Sequence, residues 1–255
     1  MSSSISNRIL MVVIIISALA VVFKDKVNDL IFGVVKVEHS MKDFIMNNPE
    51  VIIKSIENMQ VKKTEEYLKN QKDNLVKAKA DLEDDIHNPS YGNKNGDIKM
   101  TLFFDYMCGF CKKAAASLKD LTDKDGKILL IFKELPILGK QSHDNSILSL
   151  AIFKKSPENY AKFHFGLMTR NVTADAMVRE LGLDLDELQK EAASPEITKI
   201  IDQNTKLAED IGIRGTPTII INGEMVMFTS DKDIIDKIAV IRKGTADATK
   251  QETKK

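Results

Sequence analysis

The sequence predicts an α/β protein that carries a helical insertion and is preceded by an N-terminal helical region. Three observations predict it. From Ile98 onward the patterns run strand–helix–strand, a helical block, then strand–strand–helix. Between Glu50 and Asn88 there is no Gly or Pro, so long helices can run unbroken. The two cysteines, Cys108 and Cys111, sit at the junction of the first strand and the first helix of the α/β part. The hydrophobic fraction of 43% is enough for a packed core, and 37 basic residues balance 37 acidic ones. That balance, with 6% aromatic residues, argues against nucleic acid as a partner.

The elements follow in order. After Arg8 comes a run of fifteen residues, Ile9 to Phe23, in which only Ser17 is polar. A membrane span needs roughly 20 residues. Ala18-Leu19-Ala20 resembles a small-x-small cleavage site, yet Val21, Val22 and Phe23 extend the apolar run beyond it. Residues 1–23 therefore read as a cleaved signal peptide or an uncleaved anchor in the inner membrane, with a buried core helix as the third reading. Either of the first two exports the chain to a periplasmic or other exported location, where disulfide chemistry is permitted.

Residues 24–87 read as a helical oligomerisation region. Val27, Leu30, Val34, Val37, Met41 and Phe44 are spaced 3, 4, 3, 4, 3, an a/d seam of about two and a half heptads. Self-association and packing on the chain's own domain both satisfy such a seam. Pro49 suits the first turn of a new helix. Asn88 to Asp97, "NPSYGNKNGD", is dense in turn formers and reads as a linker.

Residues 88–243 form the main domain. Ile98–Phe104 is a buried strand, 111–121 a helix, and 127–135 a second strand ended by Pro136. Residues 142–211 are helical, broken at Pro157, Gly182 and Pro195. "TPTIIINGEMVMF" is β-branched around Asn222-Gly223, a hairpin signal. Residues 231–242 make a last helix, and 244–255 are expected to be a disordered tail.

Cys108 follows a strand and opens a helix, where unpaired N–H groups and the helix dipole stabilise a thiolate. Cys111 lies one turn further in and more shielded. Such a pair can attack a disulfide and resolve the mixed disulfide. A zinc site would need further ligands, and His39, His87, His143 and His164 lack ligand spacing. A static disulfide over so small a ring would constrain little chain. Neither a metal nor another cofactor is expected. Downstream, Thr216-Pro217 precedes a strand. A cis bond there would set a tight turn beside the thiols and leave the Thr216 backbone open to an extended substrate.

"GNKNGDIKMTLFFDYMCGFCKKA", "FKELPILG", "FHFGLM" and "GTPTIIING" together resemble the DsbA family of thioredoxin-fold thiol–disulfide oxidoreductases. The resemblance implies Cys108 as nucleophile, Cys111 as resolving thiol, Thr216 and Pro217 as a substrate-binding cis-proline loop, and 142–211 as the insertion in the thioredoxin fold. "NNPEVIIKSIENMQ" resembles the N-terminal region of ScsC-like and Com-type members, some of which trimerise and act as isomerases. The implied partners are unfolded or misdisulfided proteins, a membrane redox partner and further copies of the chain, with a trimer favoured. A monomeric oxidase and a non-catalytic, chaperone-like surface protein are the alternatives. Phe110, beside the reactive sulfur, is expected as an exposed apolar contact for clients.

Two departures stand out. Leu102 occupies the place of the family's buried acid, six residues before the first cysteine. Glu134 is a candidate replacement for proton transfer, against the plainer reading of a charge at a strand end. Gly109-Phe110 between the cysteines has no histidine, so a milder oxidant than DsbA is expected. Asp105 reads as a strand-end cap, and His164 as a packing residue.

Overall fold

The computed structural model describes residues 2–84, 86–226 and 228–252. The chain divides into two compact units, 1–67 and 68–255. The first holds α1 (Ser2–Asn47) and most of α2 (Pro49–Lys77). Among the described residues, no helix is long and apolar enough to cross a membrane. Of the heptad positions, Val27, Val37, Met41 and Phe44 are exposed, while the side chains of Leu30 and Val34 lie outside the described residues. Ile52, Ile53, Ile56 and Met59 of α2 are exposed as well.

The division falls at 67/68, not at the expected 87/88. Leu75 and Leu82 explain the shift: both are buried against Phe103, Leu207 and Ile220 of the second unit. Burying a leucine contributes about 1.5–3 kcal/mol, which ties the end of α2 and the short α3 (Lys79–Leu82) to the sheet.

The sheet has five strands in the order β1-β3-β2-β4-β5. They are β1 (Ser90–Gly92), β2 (Ile98–Phe104), β3 (Ile128–Glu134), β4 (Thr218–Ile221) and β5 (Glu224–Val226). β2 and β3 pair in parallel, and the other pairings are antiparallel. Parallel strands need a crossover, and α4 (Gly109–Asp125) supplies it, ending on Gly126 at φ 66°. Asn222 (φ 47°) and Gly223 (φ 83°) turn β4 into β5, as the Asn-Gly signal predicts.

The insertion comprises α5 (Lys140–Lys155), α6 (Pro157–Thr169), α7 (Ala174–Glu180), α8 (Leu185–Ala192) and α9 (Pro195–Asp210). Pro157 and Pro195 open α6 and α9, where a missing N–H costs nothing. Thr173 and Asp184 cap α7 and α8 through their side chains.

Strand alternation gives the sheet two faces. Ile98, Met100, Leu102 and Phe104 pack with Ala114, Ala115 and Leu118 of α4. Phe103 points the other way.

Two further expectations are corrected. Within the supposed linker, Ser90–Gly92 pairs with Leu129–Ile131 as an edge strand, because Gly92 can take φ +98° beside the Ile128 carbonyl. The tail is not without structure: α10 (Asp231–Glu252) takes in residues 244–252, where Ala246, Ala248, Lys250, Gln251 and Glu252 are good helix formers. Residues 253–255 lie outside the described residues.

Candidate active site

β2 delivers the chain to Asp105, which is fully buried. Its carboxylate accepts hydrogen bonds from the N–H groups of Met107 (2.7 Å), Ile137 (2.8 Å) and Leu138 (3.0 Å) and from the Ser142 hydroxyl (2.7 Å). The turn carrying the thiols and the turn after β3 are thus held by one side chain. The cap reading of Asp105 agrees with this geometry.

Cys108 is the N-cap of α4, in extended backbone (φ −76°, ψ 117°). Its Sγ accepts from the Cys111 N–H at 3.4 Å and donates to the Thr216 carbonyl at 3.3 Å. Burial alone would raise this thiol. The Cys111 and Phe110 N–H groups and the side chains of Cys111 and Thr216 outweigh it and hold the pKa below the ordinary value. Cys111 differs. It has no exposed surface, against 8% for Cys108, and burial pushes its thiol up to about 12. Both cysteines are free thiols. The Thr216–Pro217 bond is cis, and both residues are half-buried. The structure therefore brings Cys108, Cys111 and Thr216 together.

Phe110 is 69% exposed, with Lys113 Nζ 5.7 Å from its ring centroid. Met107, Ile137 and Leu138 are exposed too, and Asp105 holds their backbones. Sequence reasoning missed these three. The available signal was apolar residues standing in turns beside Cys108 and Pro136, where polar ones are usual.

Glu134 closes β3, but it is not the solvated charge that a strand end usually carries. It is fully buried and accepts from Ser146 (2.9 Å), Ser149 (2.7 Å) and Tyr160 (3.3 Å). Burial pushes its carboxyl up to about 8 despite those bonds. Tyr106 OH donates to Ser149 Oγ at 2.8 Å and lies 3.2 Å from His164 Nδ1, which links this cluster to the segment before Cys108. His164 packs among Phe104, Phe132 and Tyr160, and burial holds it neutral, at about 3. Leu102, in the place of the family acid, is plain core.

A β-α-β / β-β-α sheet with two thiols in the first turn of the crossover helix defines a thiol–disulfide oxidoreductase of the thioredoxin fold. The chain belongs to the thioredoxin family, whose profile matches residues 84–238. It is homologous to the Dsb disulfide bond formation proteins. The probable disulfide bond formation protein D of Bacillus cereus is 24% identical over 166 residues, 58% of this chain and 77% of that protein. Among solved structures, the thiol-disulfide exchange protein α-DsbA2 of Wolbachia pipientis is 27% identical with a TM-score of 0.62, covering 67% of this chain and 95% of its own. Proteus mirabilis ScsC in a transitional conformation is 24% identical with a TM-score of 0.59, covering 80% of this chain and 91% of its own, a likeness of fold.

Proposed function

We propose that the chain is an exported disulfide isomerase acting on misdisulfided protein clients as a homo-oligomer, a trimer by the resemblance drawn above. The asymmetry of the two thiols is the observation that carries this reading. Cys108 is the nucleophile: its thiolate attacks one client sulfur, a Cys108–client disulfide forms, and the client's other sulfur leaves as a thiolate. That thiolate, or a different client thiolate that it releases by opening another client disulfide, then attacks the client sulfur bonded to Cys108. A new client disulfide forms, and Cys108 leaves as a thiolate with no net transfer of electrons. Escape by reduction requires Cys111 as a thiolate. A thiol enclosed in the core, where burial raises it, supplies little of it, so the mixed disulfide persists long enough for client thiols to rearrange.

Client contact falls to Phe110 and the Met107, Ile137 and Leu138 rim, with the Thr216-Pro217 backbone alongside. Several copies would grip one client at several points. The second reading is a monomeric oxidase, which homology to disulfide bond formation protein D favours. In that direction, client thiols reduce a Cys108–Cys111 disulfide, and a membrane redox partner must remove the two electrons.

The test is recovery of ribonuclease activity from scrambled and from reduced ribonuclease, with light scattering on the same sample. An isomerase starts as dithiol and recovers the scrambled substrate faster, as an oligomer. A monomer that acts only when preoxidised, and only on reduced substrate, sinks the proposal in favour of the oxidase. A Cys108→Ser/Cys111→Ser chain that is equally active would point to client holding without chemistry.

A further inference from the structure

Register places Lys133 opposite Phe103, and Glu134 opposite Phe104. Phe104 packs with α4 and Phe103 on the other face, so Lys133 projects from the side of the sheet away from the thiols. There it lines a cleft of about 890 Å³, within the range of small-molecule sites. Three polar groups converge on this cleft with unmet hydrogen bonds. Lys133 is 2% exposed and forms no hydrogen bond or ion pair among the described residues, the nearby Asp84 and Asp81 acting on it through charge alone. Asn204, also 2% exposed, has a buried Nδ2 with no partner. Asn88, 5% exposed, has a buried Oδ1 with none.

Buried polar groups without partners are few in folded proteins, and three along one cleft need an explanation. Several of the charges around them are paired: Lys154 with Glu196, Lys206 with Asp210, and His87 with Asp84, while Asp81, Lys199 and Gln203 complete the polar rim. The buried groups with unmet hydrogen bonds are one ammonium, one amide donor and one acceptor. Phe153, Ile200 and Leu207 add apolar wall.

We infer that this cleft binds a small carboxylic acid carrying a second hydrogen-bonding group, a hydroxy acid or an amino acid. Lys133 and Asn204 Nδ2 take the carboxylate, and Asn88 Oδ1 takes the neighbouring O–H or N–H donor. A singly charged acid fits better than a phosphate, because one buried ammonium neutralises one charge and the lining carboxylates of Asp81 and Asp84 oppose a second. The site is separate from the thiol chemistry and does not depend on whether the protein isomerises or oxidises.

The test uses isotope-labelled full chain, with L-lactate, L-alanine and inorganic phosphate as probes in separate NMR titrations. Lactate or alanine should shift the signals of Asn88, Lys133 and the Asn204 side-chain amide saturably. Lys133→Met keeps the apolar stem and removes the charge; it should weaken the bound acid at least about tenfold, the equivalent of one charge-assisted hydrogen bond, with thiol exchange unchanged. Asn204→Leu should weaken it as well and serves if Lys133→Met does not fold. No saturable shift with either acid, undiminished binding in both variants, or binding of phosphate alone would each overturn the assignment.

Discussion

The Asp105 carboxylate and the Ile137 N–H are hydrogen-bonded at 2.8 Å, across the gap between the turn that carries the thiols and the turn that follows β3. Two other backbone N–H groups and one hydroxyl use the same carboxylate. Asp105→Ala should therefore cost more than about 2 kcal/mol, since several groups lose a charged acceptor at once. Chemical denaturation measures the loss, and a midpoint matching the wild type would show that the two turns hold without Asp105. Asp105→Asn should recover part of it.

Cys108 should be alkylated first. Its rate should follow a midpoint below the free-thiol value of about 8.5, because N–H groups at the start of α4 stabilise the thiolate. Cys111 should stay unmodified until the fold opens. Iodoacetamide labelling across a pH series, read by peptide mass spectrometry, checks both. Faster labelling of Cys111 would reverse the roles.

Glu134 makes stability depend on pH, with a definite sign. Its carboxyl lies at about 8 in the fold and near 4.3 when unfolded. Between those values the folded state holds the extra proton, so this group's contribution is full at low pH and is lost as pH rises to about 8. Wild type should lose stability relative to Glu134→Gln between pH 5 and pH 9. The loss should be a few kcal/mol at most, at about 1.4 kcal/mol per pKa unit. Lys133 has the opposite slope. It is held at about 8 by burial against 10.4 unfolded, so it disfavours the fold below about pH 8 and ceases to do so as pH approaches its unfolded value. Parallel melting curves for wild type and Glu134→Gln would refute the Glu134 assignment.

Val37, Met41 and Phe44 lie exposed at seam positions of α1. Replacing Val37 and Phe44 with lysine in the full chain should lower the mass seen by light scattering. It should reduce isomerisation of scrambled ribonuclease severalfold and leave single-turnover oxidation of a short dithiol peptide unchanged. An unaltered mass would remove the seam from the interface.

The core strands and hairpin were legible because their signals are local. Ile98–Phe104 is apolar enough to read as a strand at the observed bounds, and Asn222-Gly223 states its own turn. Ser90–Gly92 was not legible, since three residues among turn formers become a strand only when β3 is beside them. Cys108, Cys111, Thr216 and Phe110 could be singled out from spacing and order. The burial of Lys133 and Glu134 could not: the serines and tyrosine that satisfy Glu134 sit 12 to 26 residues away on two helices. Leu68, Leu75 and Leu82 share one spacing, but only the last two are buried, and spacing alone does not say which tertiary partner is within reach.

Placing both sulfurs in one helical turn also protects the protein from its own chemistry. A chain with four cysteines can close in three ways, whereas this one has a single internal pairing and no mispaired isomer to repair. With Cys111 sealed in the core, an accidental cross-link between two copies would have to run through Cys108. Such a link is a mixed disulfide like any the protein makes with a client, and the same exchange undoes it. A thiol–disulfide oxidoreductase built this way has no second internal pairing into which its own thiols could scramble.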